Sequence, residues 1–215
     1  MSRAIYVPIE EQKRLFENTL ADPKNGVRNH AILRLMYGYP IRSIELTRLK
    51  TSDLATDQGR VRTRSDVDLL RPEISFNGIA RPFPLQCSII IEALQAWIDF
   101  RFQKGWGVVN GFLDMESPFF MKDKVNGFKE TRTKRGSEIT KSAEGMNKLI
   151  SNLHKRNHIN GNVESPLRSW TLVQYEKGAD VRILWILRGD KTIDTVYRAC
   201  RNHPVKLASL VRNVV

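Results

Sequence analysis

Residues 28–49 read RNHAILRLMYGYPIRSIELTRL, and this stretch decides the fold. Apolar residues at near-helical spacing predict a helix from about Val27 to Tyr37. The Gly38-Tyr39-Pro40 sequence ends that helix, because proline cannot continue it and biases the preceding residue towards extended backbone. A second, short helix is predicted over Ile41 to Leu49. A helix, a break and a short basic helix therefore lie near the start of the chain.

The short helix carries Arg42 and Glu45 one turn apart, and a second arginine segment, SPLRSW, places Arg168 far downstream. Taken alone, an Arg/Glu pair fits an ordinary exposed helix surface. Two arginines that converge in a fold can instead bind one phosphate through forked, bidentate hydrogen bonds. Tyr197 follows the second segment, and a tyrosine hydroxyl beside such a clamp can attack phosphorus and link covalently to DNA.

Together with the later run GADVRILWIL at 178–187, these segments resemble the catalytic domain of the tyrosine recombinases, the phage integrase family. The resemblance implies a mainly α fold with a small antiparallel β-sheet, an α+β architecture. It implies that Arg42 and Arg168 bind the scissile phosphate, that Glu45 helps to hold Arg42, and that Tyr197 is the nucleophile. It further implies site-specific cutting and rejoining of duplex DNA through a 3′-phosphotyrosine, without a metal or nucleotide cofactor.

The chain departs from the family pattern at the residues that transfer protons. Ser165 stands where the family usually has a histidine, three residues before the second arginine. Asp190, which follows Arg188 and Gly189, stands where the family has a histidine or tryptophan. A serine can hydrogen-bond a phosphate, but it cannot carry a proton at neutral pH as imidazole does. Ser165, Arg188 and Asp190 are therefore candidate site residues whose chemistry differs from that of the family.

The family also has a lysine in its β-hairpin that protonates the leaving 5′ oxygen. No lysine lies between Lys50 and Lys104 in this chain. Arg71 or Arg81 could take the position, but arginine is a poor proton donor. Two functions consequently stay open: an active recombinase, and a catalytically inactive or accessory DNA-binding protein with the same fold.

Charge points to a polyanionic partner. The chain has 35 Lys and Arg against 23 Asp and Glu, a formal net charge of +12. Such an excess is typical of proteins that bind nucleic acid. Because the basic stretch from Lys122 to Arg135 has little aromatic interleaving beyond Phe128, it favours a duplex backbone over stacked single-stranded bases. The candidate DNA contacts are Arg71, Arg81, Lys122, Lys124, Lys129, Arg132, Lys134 and Arg135.

Other classes are disfavoured. The chain has two cysteines, which predicts reduced thiols rather than a disulfide scaffold. It has no apolar run near the length of a membrane span, so we expect a cytoplasmic, DNA-associated protein without a membrane partner. Its four histidines are scattered, so no metal site is expected. A basic helical adaptor without DNA affinity at physiological salt is a third hypothesis.

We expect one domain over residues 1–215, without a separate N-terminal core-binding domain. Residues 204–215 are a possible tail that docks on a neighbouring protomer, so self-association on DNA or a partner recombinase is expected. The Asn77-Gly78 pair, between two alternating runs, predicts a hairpin turn. Residues 104–138 are expected to be the least structured part of the chain, and helices are expected at about 88–103, 141–155, 167–177, 180–187 and 193–215.

Overall fold

The computed structural model describes residues 5–63, 65, 68–135 and 138–201, and at 133–135 and 138–139 it describes the backbone alone. The side chains of Lys134 and Arg135 and the expected docking tail at 204–215 therefore lie outside the described residues.

Within these ranges the chain is mainly helical. The helices are α1 (Ile9–Leu20), α2 (Gly26–Gly38), α3 (Ser43–Arg48), α4 (Thr51–Leu54), α5 (Ser88–Lys104), α6 (Glu144–Arg156), α7 (Ser165–Glu176), α8 (Val181–Arg188) and α9 (Asp194–Arg201). The strands are β1 (Leu69–Leu70), β2 (Arg81–Pro82), β3 (Val108–Val109), β4 (Phe112–Leu113), β5 (Thr131–Arg135) and β6 (Glu138–Ser142). They pair antiparallel as β1 with β2, β3 with β4 and β5 with β6. The predicted fold class is confirmed, with three small sheets among the described residues instead of one.

The centre of the main core is the contact between α2 and α5. Helix α2 buries residues on nearly all sides, because α1, α5 and α7 surround it. Helix α5 contributes Trp97, whose indole nitrogen donates to the carbonyl of Phe119 at 2.9 Å. The tryptophan is fully buried, and that hydrogen bond satisfies its polar atom. This core fixes the end of α2, and thereby the start of α3.

A second cluster joins α1 and α2 to α6. In it the hydroxyl of Tyr37 lies 2.7 Å from Nε2 of His154. Nδ1 of His154 lies 2.9 Å from the carbonyl of Ile150, so that nitrogen carries the proton and donates. Nε2 is therefore an acceptor, and Tyr37 donates to it. Burial lowers the pKa of His154 and raises that of Tyr37, so both side chains are neutral.

A third cluster joins the last three helices. Trp170 of α7, Leu184 of α8, and Val196 and Cys200 of α9 are buried against one another. Helix α7 ends before Gly178, which has a positive φ of 93°, and Asp180 then caps α8 by accepting from the amide of Arg182 at 2.6 Å. The sequence predicts both the glycine that ends α7 and the aspartate that caps α8.

Two local expectations are corrected. Asn77-Gly78 lies in a turn-rich segment, residues 71–78, that connects β1 to β2, and it does not form a two-residue hairpin turn between longer strands. Residues 104–138 contain β3, β4 and β5, and β5 pairs over five residues with β6. No helix among the described residues is long and apolar enough to cross a membrane.

Candidate active site

Arg42 lies at the start of α3, directly after the break at Gly38-Tyr39-Pro40. Its backbone is extended, and its amide donates to Oε2 of Glu45 at 2.7 Å. A glutamate at the third helical position satisfies in this way a donor that has no partner within the helix. Ile41 and Ile44 are buried on either side, so the backbone of Arg42 is held rigidly against the core.

Glu45 is fully buried and binds three segments at once. Besides the amide of Arg42, Oε2 accepts from Nη2 of Arg81 at 2.7 Å, and Oε1 accepts from the amide of Phe76 at 2.9 Å. Glu45 therefore supports Arg42 through its main chain. The side-chain partner of Glu45 is Arg81, which differs from the direct Arg42–Glu45 side-chain pair that one-turn spacing suggests.

Arg81 is buried, with 3% of its surface exposed. Besides its ion pair with Glu45, Nη1 donates to the carbonyl of Leu187 at 2.6 Å, at the end of α8. Burial lowers the pKa of Arg81, and the charge of Glu45 opposes that shift. The expectation that Arg81 contacts DNA is therefore corrected: its side chain is an internal brace between α3 and α8.

The side chain of Arg42 faces two carboxylates. Nη2 forms an ion pair with Asp190, and Nη1 lies 4.0 Å from Oε2 of Glu164. The guanidinium lies over the ring of Phe76, at 4.8 Å from its centroid. Nε is buried and has no hydrogen-bond partner among the described residues. Arg42 is thus 16% exposed at its side chain and already paired in the unbound protein.

Asp190 bridges two arginines. One oxygen pairs with Arg42, and the other accepts from Nε of Arg188 at 2.6 Å. Arg188 is buried and also donates to the hydroxyl of Thr171 on α7. The turn that carries Asp190 is fixed by Gly189, whose φ is 62° and whose carbonyl accepts from Asn77 at 2.9 Å. Asp190 is therefore a well-anchored carboxylate in contact with the candidate phosphate ligand Arg42.

In the sequence, Arg168 lies between Glu164 and Thr171, and both of these residues contact the network around Arg42 and Arg188. Glu164, Arg168 and Thr171 have the i, i+4, i+7 spacing of one helix face, and the amide of Arg168 donates to the carbonyl of Glu164 at 3.1 Å. Glu164 approaches Arg42, and Thr171 accepts from Arg188. The half-buried Arg168 is thus on the face of α7 that is turned towards Arg42.

Ser165 does not line this face. Its side chain is fully buried, and its hydroxyl oxygen accepts from the amide of Asn162 at 2.8 Å. Its own amide donates to the carbonyl of Asn162 at 3.0 Å. The serine thus closes the turn that begins α7, as small hydroxyl residues commonly do. The expectation that it contacts phosphate is corrected on this ground.

Tyr197 lies on α9, which packs on α7 and α8 through Val196 and Cys200. Its side chain is 50% exposed, and its hydroxyl makes no hydrogen bond with a described residue. It is therefore accessible to a ligand, and it belongs to the group of helices that carries Arg168 and Asp190. The structure does not bring its hydroxyl into the network around Arg42.

The remaining basic candidates with described side chains lie at the surface. Arg71 is half exposed and pairs with Asp53 at 2.7 Å, and Arg132 is 71% exposed. Lys122, Lys124 and Lys129 are exposed. Lys122 and Lys129 line a groove between the 122–131 segment and α6. Among the described residues, no group of three or more His, Cys, Asp or Glu side chains is arranged to hold a metal ion.

Two neighbours of Arg42 were not among the sequence candidates. Glu164 precedes the predicted α7 helix, and Phe76 lies in the turn-rich segment before β2. Glu164 directly precedes Ser165 in the second arginine segment, so the sequence held a weak signal for it. Phe76 had none, because its contact with Arg42 depends on the path of the 71–78 segment.

No protein-family model matches the chain, and no curated protein sequence matches it significantly. Solved structures do share its fold. They include the XerA recombinase, with 17% identity and a TM-score of 0.65 over 99% of this chain and 66% of that one. XerH site-specific recombinase bound to palindromic difH substrate, in a post-cleavage complex, has 15% identity and a TM-score of 0.62 over 98% of this chain and 53% of that one.

A third similar structure is the Tn1549 transposon integrase in complex with circular intermediate DNA. It has 14% identity and a TM-score of 0.63 over 99% of this chain and 66% of that one. The chain thus spans between about half and two thirds of the length of these proteins. At these identities the likeness establishes the fold alone.

Proposed function

We propose that this protein is a site-specific tyrosine recombinase that binds duplex DNA and cuts and rejoins it through a 3′-phosphotyrosine at Tyr197. The observation that carries the proposal is the convergence of the first turn of α3 with α7 and the end of α8. Glu164 and Asp190 approach Arg42, and Arg168 shares the face of α7 with Glu164. The fold shared with recombinases and integrases, and the net charge of +12, support a DNA substrate.

In the proposed reaction Arg42 and Arg168 bind the non-bridging oxygens of one phosphodiester. Their charge stabilises the pentacoordinate transition state, in which negative charge on those oxygens increases. The oxygen of Tyr197 forms a bond to phosphorus as the bond to the 5′ oxygen breaks. The phenolic proton passes to solvent and the 5′ oxygen takes a proton from solvent. Attack by the 5′ hydroxyl on the phosphotyrosine reverses these steps.

The buried Nε of Arg42 has no acceptor among the described residues, a state that it shares with Nε of Arg81. A buried donor without an acceptor is costly, and such groups in native proteins call for an explanation. An incoming phosphate oxygen, after a small movement of the guanidinium, supplies the missing acceptor. The same phosphate takes the place of Asp190 beside Nη2.

A suicide-substrate assay tests the proposal. Protein is incubated with nicked duplex from its own genomic neighbourhood and separated on a denaturing gel. Wild type is expected to give a slowly migrating covalent band that Tyr197→Phe loses. Tyr175→Phe, which removes a hydroxyl from α7 instead, is the matched control and should keep the band. A band that survives in Tyr197→Phe would contradict the assignment of the nucleophile.

A second function, a non-catalytic or accessory DNA-binding protein with this fold, is favoured by one observation. Asp190 places negative charge on Arg42, where a phosphate would bind. Ser165 and Asp190 also replace residues that could transfer protons, and such transfer contributes roughly 10²–10⁴-fold to catalysis. This function predicts salt-sensitive duplex binding, equal in wild type and Tyr197→Phe, with no covalent band on the substrates that contain the protein's own site.

For either function we propose assembly on DNA, by self-association or with a partner recombinase. Assembly concentrates positive charge along the duplex and lets two sites be held together. Sedimentation of the protein with and without duplex measures the number of protomers in each complex. More than one protomer per complex is expected only with DNA.

A further inference from the structure

A second cationic site lies beside Arg42, in a cleft next to the β5–β6 hairpin. The other side of the cleft is formed by residues 72–78 of the turn-rich segment, called here the 72–78 turn. The lining of the cleft includes Phe76, Glu130, Arg132 and Lys141. Phe76 is shared, because Arg42 lies over its ring and its side chain also forms a wall of the cleft. The cleft therefore adjoins the candidate active site at Phe76.

Arg132 and Lys141 are an unfavourable pair for a hairpin. They are direct cross-strand partners in the β5–β6 register, and like charges placed opposite each other destabilise a sheet. One oxygen of Glu130 lies between them, 3.5 Å from Arg132 and 3.9 Å from Lys141. These long contacts leave Arg132 71% and Lys141 49% exposed at their side chains. Two exposed cations thus share one carboxylate oxygen.

The other oxygen of Glu130 is taken by Arg48. Arg48 donates to it through Nε at 2.9 Å and Nη2 at 2.7 Å, and Nη1 donates to the carbonyl of Ser75 at 2.9 Å. Burial opposes ionisation of Glu130, but its hydrogen bonds with Arg48 and the nearby cations hold its pKa below the usual range. Glu130 is therefore a carboxylate surrounded by three cations, so the group carries a surplus of two positive charges.

These contacts also make the cleft rigid. Arg48 connects the 72–78 turn to the base of the hairpin, so the wall that carries Phe76 and the wall that carries Arg132 are tied together. A fixed cleft with surplus charge is suited to a small anion, and forked guanidinium and ammonium donors match phosphate oxygens. Glu73 also lines the cleft, so the lining as a whole keeps a surplus of one positive charge.

We infer that this cleft binds a second phosphate of the duplex backbone, next to the one held by Arg42, through Arg132 and Lys141. The inference rests on the proposed function, because it takes the ligand to be DNA. In this inference the β5–β6 hairpin sets the path of the DNA strand across Phe76. Arg48 and Glu130 act as positioning residues: Arg48 fixes Glu130, and Glu130 keeps the two cations at the cleft.

The salt dependence of duplex binding tests the inference without any need for cleavage. Arg132→Gln/Lys141→Gln is compared with wild type on a generic duplex over a range of salt concentrations. Loss of one phosphate contact is expected to reduce the slope of log K against log salt by about 0.9. Lys13→Gln/Arg14→Gln removes the same charge from exposed positions of α1, outside the cleft, and should leave the slope nearly unchanged. Arg132→Lys/Lys141→Arg keeps both charges and should retain the wild-type slope.

The outcomes separate this inference from the proposed function. If wild type binds duplex and Arg132→Gln/Lys141→Gln has the same slope of log K against log salt, the second phosphate site alone is overturned. Equal slope changes in the cleft and α1 variants overturn it too, since the effect is then one of net charge. A wild type without duplex affinity overturns the proposed function and this inference together. Thermal unfolding of each variant confirms that the compared proteins are folded.

Discussion

The carboxylate of Asp190 lies between the side chains of Arg42 and Arg188, at a position where the resemblance implied a histidine or tryptophan. The difference is one of charge as well as of proton transfer. A neutral ring can stay beside an arginine when a phosphate arrives, whereas a carboxylate repels the phosphate and must move or be compensated. In the unbound protein Asp190 is an ion-pair partner of Arg42, and in the proposed complex the phosphate competes with it for that arginine.

This competition leads to a prediction for Asp190→Asn. Because the amide carries no charge, the substitution is expected to increase duplex affinity several-fold, roughly 3- to 10-fold, on the scale of one screened charge interaction. Asp194→Asn, which removes the same charge from an exposed position of α9, is the control and should change affinity much less. Fluorescence anisotropy with a labelled duplex measures both. Equal affinities for wild type and Asp190→Asn would contradict competition at Arg42.

Ser165 and Arg81 illustrate the limit of prediction from single residues. The sequence placed both near a phosphate, but it does not state whether a polar group is already satisfied inside the fold. Ser165 closes the turn before α7, and Arg81 pairs with Glu45 and an α8 carbonyl. Both roles depend on neighbours that are distant in sequence or on a local turn. By contrast, the positions of Arg42 and Asp180 at helix starts were predictable, because the signals that set them are local.

At the scale of elements, the site depends on how the end of α8 meets the segment before β2. Gly189 ends α8 with a positive φ of 62°, and a Cβ there would lie 2.8 Å from Cδ of Arg81. Arg81 cannot easily move away, because Glu45 and the carbonyl of Leu187 hold its guanidinium. The glycine is therefore required both by backbone conformation and by close approach, and it places Asp190 beside Arg42.

Two alanine substitutions separate these requirements. Gly178→Ala introduces a side chain at a φ of 93° with no atom within 4 Å of the new Cβ, so its cost is backbone strain of about 1–2 kcal/mol. Gly189→Ala adds the contact with Arg81, and we expect it to cost about 1–3 kcal/mol more in free energy of unfolding. Urea denaturation measures both. Equal costs would show that the α8 end is less closely packed on Arg81 than described.

The β5–β6 hairpin is the longest of the strand pairs that the sequence analysis missed. Its residues are charged and flanked by glycines, which is typical of loops, and the strands show little apolar alternation. The five-residue register forms nonetheless, and Arg48 ties its base to the 72–78 turn through Glu130. Tertiary contacts of this kind leave no periodic signal. The α2, α5 and α7–α8 helices were predictable because their apolar spacing and end signals agree.

At the scale of the whole molecule, the half-buried imidazole of His30 and the buried imidazole of His154 couple stability to pH. Burial, with the charge of Arg34, lowers the pKa of His30 to about 4, and burial lowers that of His154. In the unfolded chain both should titrate near 6.5. Below that pH the unfolded chain binds protons that the folded chain does not, so the stability present above pH 6.5 is lost as pH falls.

We therefore expect the free energy of unfolding to decrease from pH 7 to pH 5.5. The slope cannot exceed about 1.4 kcal/mol per pH unit for each histidine, and solvent screening of the half-buried His30 lowers its share. Urea unfolding in matched buffers measures it, and His30→Gln should make the slope shallower. A free energy of unfolding that stays constant over this range would contradict the neutral state assigned to both side chains in the folded protein.

The central claim is that Tyr197 becomes linked to a phosphate held by Arg42 and Arg168. Its most direct test identifies the residue that carries the DNA. Wild-type protein is trapped on a nicked duplex, the DNA is digested to a short nucleotide, and the modified tryptic peptide is sequenced by mass spectrometry. The account predicts a nucleotide 3′-phosphate on Tyr197 and much less adduct in Arg42→Gln and Arg168→Gln. A nucleotide on any other residue, or adduct that is independent of both arginines, would contradict it.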